Sequence, residues 1–313
     1  MIEILQGGFF STIQDYGRYG YRKYGAPISG AMDWYALRVA NILVGNPEKT
    51  AGIEVTFYGL GLRATRDVLI AITGGDLLPQ INNESIPMWT PLWLKKDDIL
   101  TFPKLNSGFR AYVAVKGGVD NPLVMNSCST MVKVGFGGTG GPLKSGDRLA
   151  IGEKLGVRTV KLIPLPYRYV PEYKTKNQLS VVLGPQQDYF ISEALELFLS
   201  SEYTIKSQSD RQGYRLKGPE LRHIKDYDII SEPVWPGAIQ VPGDRLPVIL
   251  LADAQTTGGY PKIASVISSD LDKLGQAKPS DKISFNALPL DVAHRMFLEK
   301  EKIVEEIKTI FWE

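Results

Sequence analysis

What most constrains the fold of this chain is its punctuation. Short apolar runs such as Val68-Leu69-Ile70-Ala71-Ile72, Ala111-Tyr112-Val113-Ala114-Val115, Leu179-Ser180-Val181-Val182-Leu183 and Val248-Ile249-Leu250-Leu251 are bounded by Gly, Pro, Asn and Asp. Runs of this length between turn residues read as β-strands. The 31 glycines and 20 prolines together are 51 of 313 residues, about 16% against a usual ~12%. A chain broken this often makes many turns, so it is mainly β.

Helical periodicity is clear in three places. From Ala31 to Val44, residues Met32, Tyr35, Ala36, Val39, Ile42 and Leu43 fall on one face, with Ser29 placed to cap the start and Gly45 to end it. From Gln187 to Leu199 the face is Phe190, Ile191, Ala194, Leu195 and Phe198, and from about Asp291 to Phe311 it is Val292, Met296, Ile303, Ile307 and Ile310. The length suits two domains of ordinary size. Pro164-Leu165-Pro166-Tyr167-Arg168-Tyr169-Val170-Pro171 cannot hold a helix and is the best linker candidate, giving domains 1–165 and 172–313. A faint echo between Val68–Gly75 and Val248–Asp253, and between Asp98–Phe102 and Asp281–Phe285, accords with two similar halves, as it does with coincidence between ordinary strands.

Net charge is +2, carried as +4 on residues 1–160 and −2 on 161–313. Neither half is a basic footprint for nucleic acid. The sequence shows no signal-peptide pattern and no apolar run long enough to span a bilayer, so a cytoplasmic location is the default expectation and no membrane partner is expected. The single cysteine, Cys128, excludes an internal disulfide and a thiolate-rich metal site, and reads as a packed side chain. Gly59-Leu60-Gly61-Leu62-Arg63-Ala64 matches a dinucleotide fingerprint in letters, but a strand rather than a helix follows it, so a hairpin turn is the better reading. Gly137–Ser145 has the parts of a phosphate loop in the wrong order. Neither His223 nor His294 stands in a context that singles it out for acid–base work.

Three glycine-flanked segments gather functional side chains. Gln14-Asp15-Tyr16-Gly17-Arg18 puts an amide, a carboxylate and a guanidinium on a chain too broken to be a regular element, and its bland alternative is an Asp15–Arg18 pair that fixes the loop. The polar positions Asp33, Asn41, Asn46 and Glu54 follow: Asp33 suits a helix start, whereas Asn41 in mid-helix has no propensity reason to be there. The richest segment runs from Gln240 through Asp253, Gln255, Thr256, Thr257, Gly258, Gly259, Tyr260 and Lys262 to Asp270. There a strand delivers an amide, two hydroxyls and paired glycines to a turn that a ligand can approach. Arg211 adds a guanidinium suited to a carboxylate or phosphate.

At these residues the chain resembles the allophanate hydrolase subunit 2 family, which includes KipA-like proteins, the C subunit of 5-oxoprolinase and one half of the carboxyltransferase domain of urea carboxylase. The resemblance is carried by Gln14-Asp15-x-Gly17-Arg18-x-Gly20, Ser29-Gly30-Ala31-Met32-Asp33, Ala40-Asn41-x-Leu43-Val44-Gly45-Asn46, Glu54, Gly184-Pro185-Gln186, Gly237-Ala238-Ile239-Gln240-Val241-Pro242, and Gln255-Thr256-Thr257-Gly258-Gly259-Tyr260-Pro261 with Asp270 and Gln276. These span nearly the whole chain in order. Two departures remove a cation each: Asn126-Ser127-Cys128-Ser129-Thr130 stands for Gly-Ser-Arg-Ser-Thr, and Gly141-Pro142 stands where an arginine is usual.

The resemblance implies two cyclophilin-like β-barrel domains. It implies an ATP-dependent opening of the 5-oxo-L-proline lactam to L-glutamate, with magnesium and no covalently attached biotin. It also implies a smaller partner, the B subunit of 5-oxoprolinase or a KipI-like protein, with or without a third subunit. On that reading Arg18 or Arg211 binds an anion, Gln255, Thr256, Thr257 and Gly258 face the oxyanion or phosphate, and Asp15, Asp33 or Asp270 serves as base or metal ligand. Gln14, Asn41, Asn46, Glu54, Gln240, Gly259, Tyr260 and Lys262 complete the shortlist, and the clusters of both domains are expected to converge on a small acid. A KipA-like regulatory module and half of a biotin-dependent carboxyltransferase remain the alternatives.

Overall fold

The computed structural model describes residues 1–152, 157–224 and 226–312. By their contacts they group into two compact units, one of Met1–Arg18, Ser29–Tyr173 and Lys302–Glu313, the other of Tyr19–Ile28 and Lys174–Glu301. The proline-rich stretch 164–171 falls at the end of the first unit's long segment, where Leu165 and Tyr169 are buried.

The first unit is built on two antiparallel sheets. A seven-stranded sheet runs in the order Val119–Asp120, Arg148–Ile151, Ile2–Gly7, Leu60–Ala64, Ile99–Thr101, Gln80–Ile81, Glu84–Ser85. A five-stranded sheet runs Phe10–Gln14, Gly52–Thr56, Ser107–Val115, Val68–Asp76, Pro91–Leu94. The strands at 68–76 and 107–115 are apolar at every position of their central runs because both of their faces are covered. Ile70, Ile72, Ala111, Val113 and Val115 enter the core with Ile2, Ile4, Leu62 and Phe102. Leu69, Ala71, Tyr112 and Ala114 pack under helix α1 (Trp34–Leu43). Gly59 takes a left-handed turn (φ 93°) at a chain reversal and a strand follows it, so the dinucleotide match is a match in letters alone.

Helix α1 begins later than its periodicity suggests. Its cap is Asp33, extended at φ −115°, whose carboxylate accepts from Ala36 N at 2.8 Å; Ser29 is not the cap. Ala31 and Met32 are buried in the preceding loop, so their apolar character mimicked a first helical turn. Gly45 ends the helix as expected, at φ 79° with its N–H on Ile42 O.

In the second unit a seven-stranded barrel closes in the order Lys176–Leu183, Lys262–Val266, Ala238–Gln240, Val248–Leu250, Gly213–Lys217, Tyr203–Ile205, Lys282–Ala287. Closure comes from parallel pairing of Lys282–Ala287 with Lys176–Val181, which leaves the barrel no open edge. Helix α2 (Ser192–Ser200) lays Phe198 against Phe285, ring centroids 4.4 Å apart. Helix α3 (Leu271–Gln276) was not anticipated, because six residues are too few to display a 3.6-residue period. Helix α4 (Leu290–Phe311) buries Val304, Ile307 and Phe311 with the residues of α1, whereas Ile303 of the expected stripe is 37% exposed. Among the described residues no helix is long and apolar enough to cross a membrane.

Within the first unit Glu48 joins three segments: its carboxylate accepts from Arg38 Nε at 2.5 Å and from Lys308 Nζ at 2.8 Å. Burial pushes this carboxyl up, but the Lys308 hydrogen bond and the Arg38 charge together outweigh it and bring it below its ordinary value. A carboxyl depressed in the fold contributes stability that is complete above its unfolded pKa and is lost as pH falls through the folded one. Glu48→Gln should therefore flatten the acid limb of stability between about pH 5 and pH 3 relative to the unsubstituted chain. Urea midpoints across that range test this, and superimposable acid limbs would contradict it.

Candidate functional site

Most of the shortlisted residues fall in three polar clusters, two in the first unit and one in the second. The first centres on Asp15. Its carboxylate is buried and accepts from Gly17 N at 2.8 Å, Ser127 Oγ at 2.7 Å, Cys128 N at 2.6 Å and Ser129 Oγ at 2.5 Å. Gln14 donates to Thr12 Oγ1 and to the Thr130 carbonyl. Arg18 is fully buried, donates through Nη2 to the Ser129 carbonyl, and lies 4.8 Å from the Phe136 ring centroid. Asp15 and Arg18 thus both fasten the 127–130 segment, and the Cys128 thiol is buried there beside the Asn121 carbonyl.

The second cluster lies at the start of α1. Tyr112 donates its hydroxyl to Glu54 Oε2 at 2.7 Å and accepts from Asp33 N at 2.8 Å. Glu54 also accepts from Met32 N and stands 3.8 Å from Arg110 Nε, both side chains buried. Tyr173 donates to Asp33 Oδ2 at 3.0 Å. Burial first, then the Glu54 and Asp33 charges, hold the Tyr112 phenol far above its ordinary value, so it stays a neutral donor. Asn41 and Asn46 serve the same unit differently. Asn41 donates to the carbonyls of Thr50 and Glu48, Asn46 donates to Asn41 Oδ1 and the Val115 carbonyl, and Asn46 Oδ1 accepts from Gly117 N. The mid-helix amide that propensity left unexplained is a tie between the helix and the loop that follows it.

In the second unit the segment 255–262 is a turn and ribbon rather than a strand end. Thr257–Gly258 pairs with Glu232–Pro233, and the side chains of Gln255, Thr257 and Tyr260 are exposed. Lys262 is only 1% exposed, and its ammonium sits 2.8 Å from Glu232 Oε1 and 6.0 Å from the Trp235 ring. Gln186 donates to Glu232 Oε1 and accepts from Lys262 N. Gln240 donates to the Tyr260 carbonyl, and Gly258 lies so close to the Gln240 amide that a β-carbon would crowd it. Ile229 N bonds the Gly259 carbonyl. Arg22, from the 19–28 segment that groups with this unit, donates through Nη2 to the Thr256 carbonyl at 3.1 Å. Its Nη1 finds no hydrogen-bond partner among the described residues, and burial lowers its pKa from the ordinary arginine value.

Arg211 does grip a carboxylate through two nitrogens, but the carboxylate is Asp253, at 2.9 and 3.2 Å and buried. Asp270 accepts from Ser180 N and pairs with Lys273 at 2.8 Å. Arg18 belongs to the first unit and Thr257 to the second. The sequence reading missed Arg22, Tyr112 and Glu232. Arg22 sits in a run of exposed-looking Tyr and Lys, and Glu232 precedes Pro233 with nothing to mark it, so only the fold reveals that they face Thr256, Asp33 and Lys262. Burial, followed by the Arg245 charge, lowers the His223 imidazole despite its contact with the Val241 carbonyl, so it is neutral near pH 7. Among the described residues no group of three or more His, Cys, Asp or Glu side chains fits a metal ion.

Residues 24–287 match the family model described as carboxyltransferase domain, subdomain A and B. The chain belongs to this family. It is 36% identical over 308 residues to the C subunit of 5-oxoprolinase from Escherichia coli, a match that covers 98% of this chain and 97% of that protein. The same subunit from Haemophilus influenzae is 34% identical over 312 residues, covering 99% and 98%. The crystal structure of Kluyveromyces lactis urea carboxylase superposes with a TM-score of 0.91 at 31% identity. That likeness covers 98% of this chain but only 29% of the urea carboxylase chain. The mainly-β architecture expected from the turns is therefore the architecture of solved relatives as well.

The Lys262–Glu232 pair makes a direct prediction for this carboxyltransferase-family chain. Glu232→Gln strands a buried ammonium and should cost about 1–2 kcal/mol, less than a fully buried pair because Glu232 is partly solvated. Adding Lys262→Met should restore most of that loss in a double-mutant cycle of urea midpoints. Additive losses would show that the two side chains do not depend on each other.

Proposed function

We propose that this chain is the C subunit of an ATP-dependent 5-oxoprolinase, acting with a smaller partner to open the lactam of 5-oxo-L-proline to L-glutamate. The observation that carries this reading is the end-to-end correspondence with that subunit, 97% of the Escherichia coli protein at 36% identity. Against urea carboxylase, by contrast, the chain corresponds to 29% of a much longer protein. That likeness favours one second reading, half of a biotin-dependent carboxyltransferase.

A lactam resists water because its nitrogen lone pair is delocalised into the carbonyl. Transfer of the γ-phosphoryl group of ATP to the lactam oxygen gives a phosphorylated imidate, whose carbon is far more electrophilic than the amide's, and releases ADP. Water then adds to the activated carbon, the C–N bond opens with the nitrogen leaving as the amine to give an acyl phosphate, and a second water displaces phosphate to give glutamate. Such a site needs donors for the phosphate and oxyanion, a clamp for the substrate carboxylate, and a carboxylate to accept a proton from water.

The turn at 255–260 is the best-equipped place in this chain. The Thr256 and Thr257 hydroxyls and the Arg22 guanidinium at the Thr256 carbonyl supply donors there. Glu232, across the ribbon from Gly258, supplies a carboxylate beside the buried Lys262 ammonium. Asp15, which already accepts four hydrogen bonds, is better suited to holding its loop than to taking a proton. Among the described residues no group of three or more His, Cys, Asp or Glu side chains gathers to hold a metal ion, and no residue is assigned to magnesium.

The test is ATP hydrolysis by the chain co-purified with its partner, with magnesium present and biotin absent. 5-Oxoproline should stimulate hydrolysis and be converted to glutamate. Thr257→Val should lower kcat by about a hundredfold, as loss of one oxyanion donor does, while leaving partner binding intact. Absence of stimulation in the intact complex, or biotin-dependent carboxylation instead, would overturn the assignment.

A further inference from the structure

A cavity of about 580 Å³ opens within the second unit, against the face of α4 formed by Leu290, Ala293, His294 and Phe297. Residues at this spacing lie on one side of a helix. The rest of the wall comes from the paired strands 176–183 and 262–266 and the residues next to them, and from Trp235 and Pro236. Its size lies in the range of small-molecule sites, about 300–1,000 Å³. Trp235, His294 and Phe297 contribute rings, and no Asp, Glu, Lys or Arg lines it. A charged group buried there loses its hydration without gaining an opposite charge, so the cavity suits an uncharged, ring-shaped body.

Trp235 ties this cavity to the turn at 255–260. Its indole Nε1 donates to Ser265 Oγ at 2.8 Å, which fixes the ring as a platform, and the residue is still 39% exposed. The residue before it, Val234, donates its N–H to the Thr256 carbonyl, the same carbonyl that receives Arg22. The Lys262 ammonium lies 6.0 Å from the indole ring centroid. Elsewhere in the wall, Gly184 passes so close to the Lys262 carbonyl that a β-carbon would collide with it. Two residues further on, Gln186 bonds both Glu232 and the Lys262 N–H. An uncharged cavity with rings in its wall therefore borders a turn that holds cationic and hydroxyl donors, and the two meet at Trp235.

We propose that this cavity receives the purine base of the nucleotide consumed in the proposed reaction. The inference rests on the 5-oxoprolinase reading and goes beyond it by giving the base a place in this chain. A purine is flat, carries no charge near neutral pH, and presents a π-face to an aromatic platform. The His294 imidazole and the Ser268 hydroxyl, both in the wall, supply donors and acceptors for its edge. The phosphates carry the charge that the cavity does not accommodate, so they stay outside it and fall to the donors of the turn, Arg22, Thr256 and Thr257. 5-Oxoproline, a carboxylate without an aromatic ring, has no matching group in the cavity. Base and phosphates are thus recognised by different chemistry on neighbouring surfaces.

The test uses the chain co-purified with its partner. Adenosine, the base without phosphates, should bind saturably in a calorimetric titration, indole more weakly, and ribose not at all. Trp235→Ala and Phe297→Ala should each weaken adenosine by about tenfold, within the range that loss of one stacking partner costs. In turnover the same loss should fall on KM for ATP rather than on kcat, with KM for 5-oxoproline unchanged, a split that general loss of structure does not give. Phe297 is 38% exposed, so its variant keeps the site testable if Trp235→Ala, which also breaks the Ser265 bond, does not fold. No saturable adenosine binding, equal binding of indole, or an unchanged adenosine affinity in both variants would each overturn the base site, and 5-oxoproline-stimulated ATP hydrolysis would keep the 5-oxoprolinase reading intact. Adenosine binding that the variants weaken, in a complex that 5-oxoproline fails to stimulate, would sink that reading and leave the base site standing.

Discussion

The loop architecture of the first unit hangs on one buried carboxylate. Asp15 accepts from two hydroxyls and two backbone N–H groups, and through them it fixes a segment more than a hundred residues away in sequence. A carboxylate taken from water without such partners costs several kcal/mol, roughly what makes ionised groups rare in protein interiors. Four donors offset that cost, and in return the 127–130 segment, which has little strand ladder of its own, gains a fixed position. Arg18 closes the arrangement from the other side by donating to the Ser129 carbonyl. Gly137 packs so tightly on that carbonyl that a β-carbon would collide with it. The glycine-rich segment that resembled a misordered phosphate loop is thus a close-packed lid on this knot.

Much of the fold was legible because it rests on local pattern. Runs at 68–72 and 111–115 announced strands, and their unbroken apolar character had a physical cause, a sheet covered on both faces. Gly45 was legible as a helix stop because a left-handed residue is needed there. The start of α1 was not: Asp33 and Ser29 are both good caps, and only burial of Ala31 and Met32 in the loop decides between them. The site residues show the same division. Residue types stood out in the sequence, but their partners did not, since an arginine looks the same whether it awaits a ligand or already holds Asp253, forty-two positions away. Glu232 and Arg22 carried no local mark because their significance arises entirely from which turn they face.

Charge is partitioned between the clusters in a way that composition conceals. A chain with net charge +2 looks nearly neutral. Within it, the second unit brings the Arg22 guanidinium and the Lys262–Glu232 ion pair to one turn and ribbon. A fold shared with carboxyltransferases does not by itself choose a reaction. The local balance of donors, acceptors and formal charge does.

Helix α4 carries one more implication. Val304, Ile307 and Phe311 are fully buried in the first unit, yet the ribosome makes them only after residues 174–301 of the second. A nascent chain therefore reaches the end of the second unit with the first still missing a wall of its core. Folding during synthesis cannot proceed strictly from front to back, and the early strands must wait, with apolar surface uncovered, for the last few turns of helix to leave the exit tunnel.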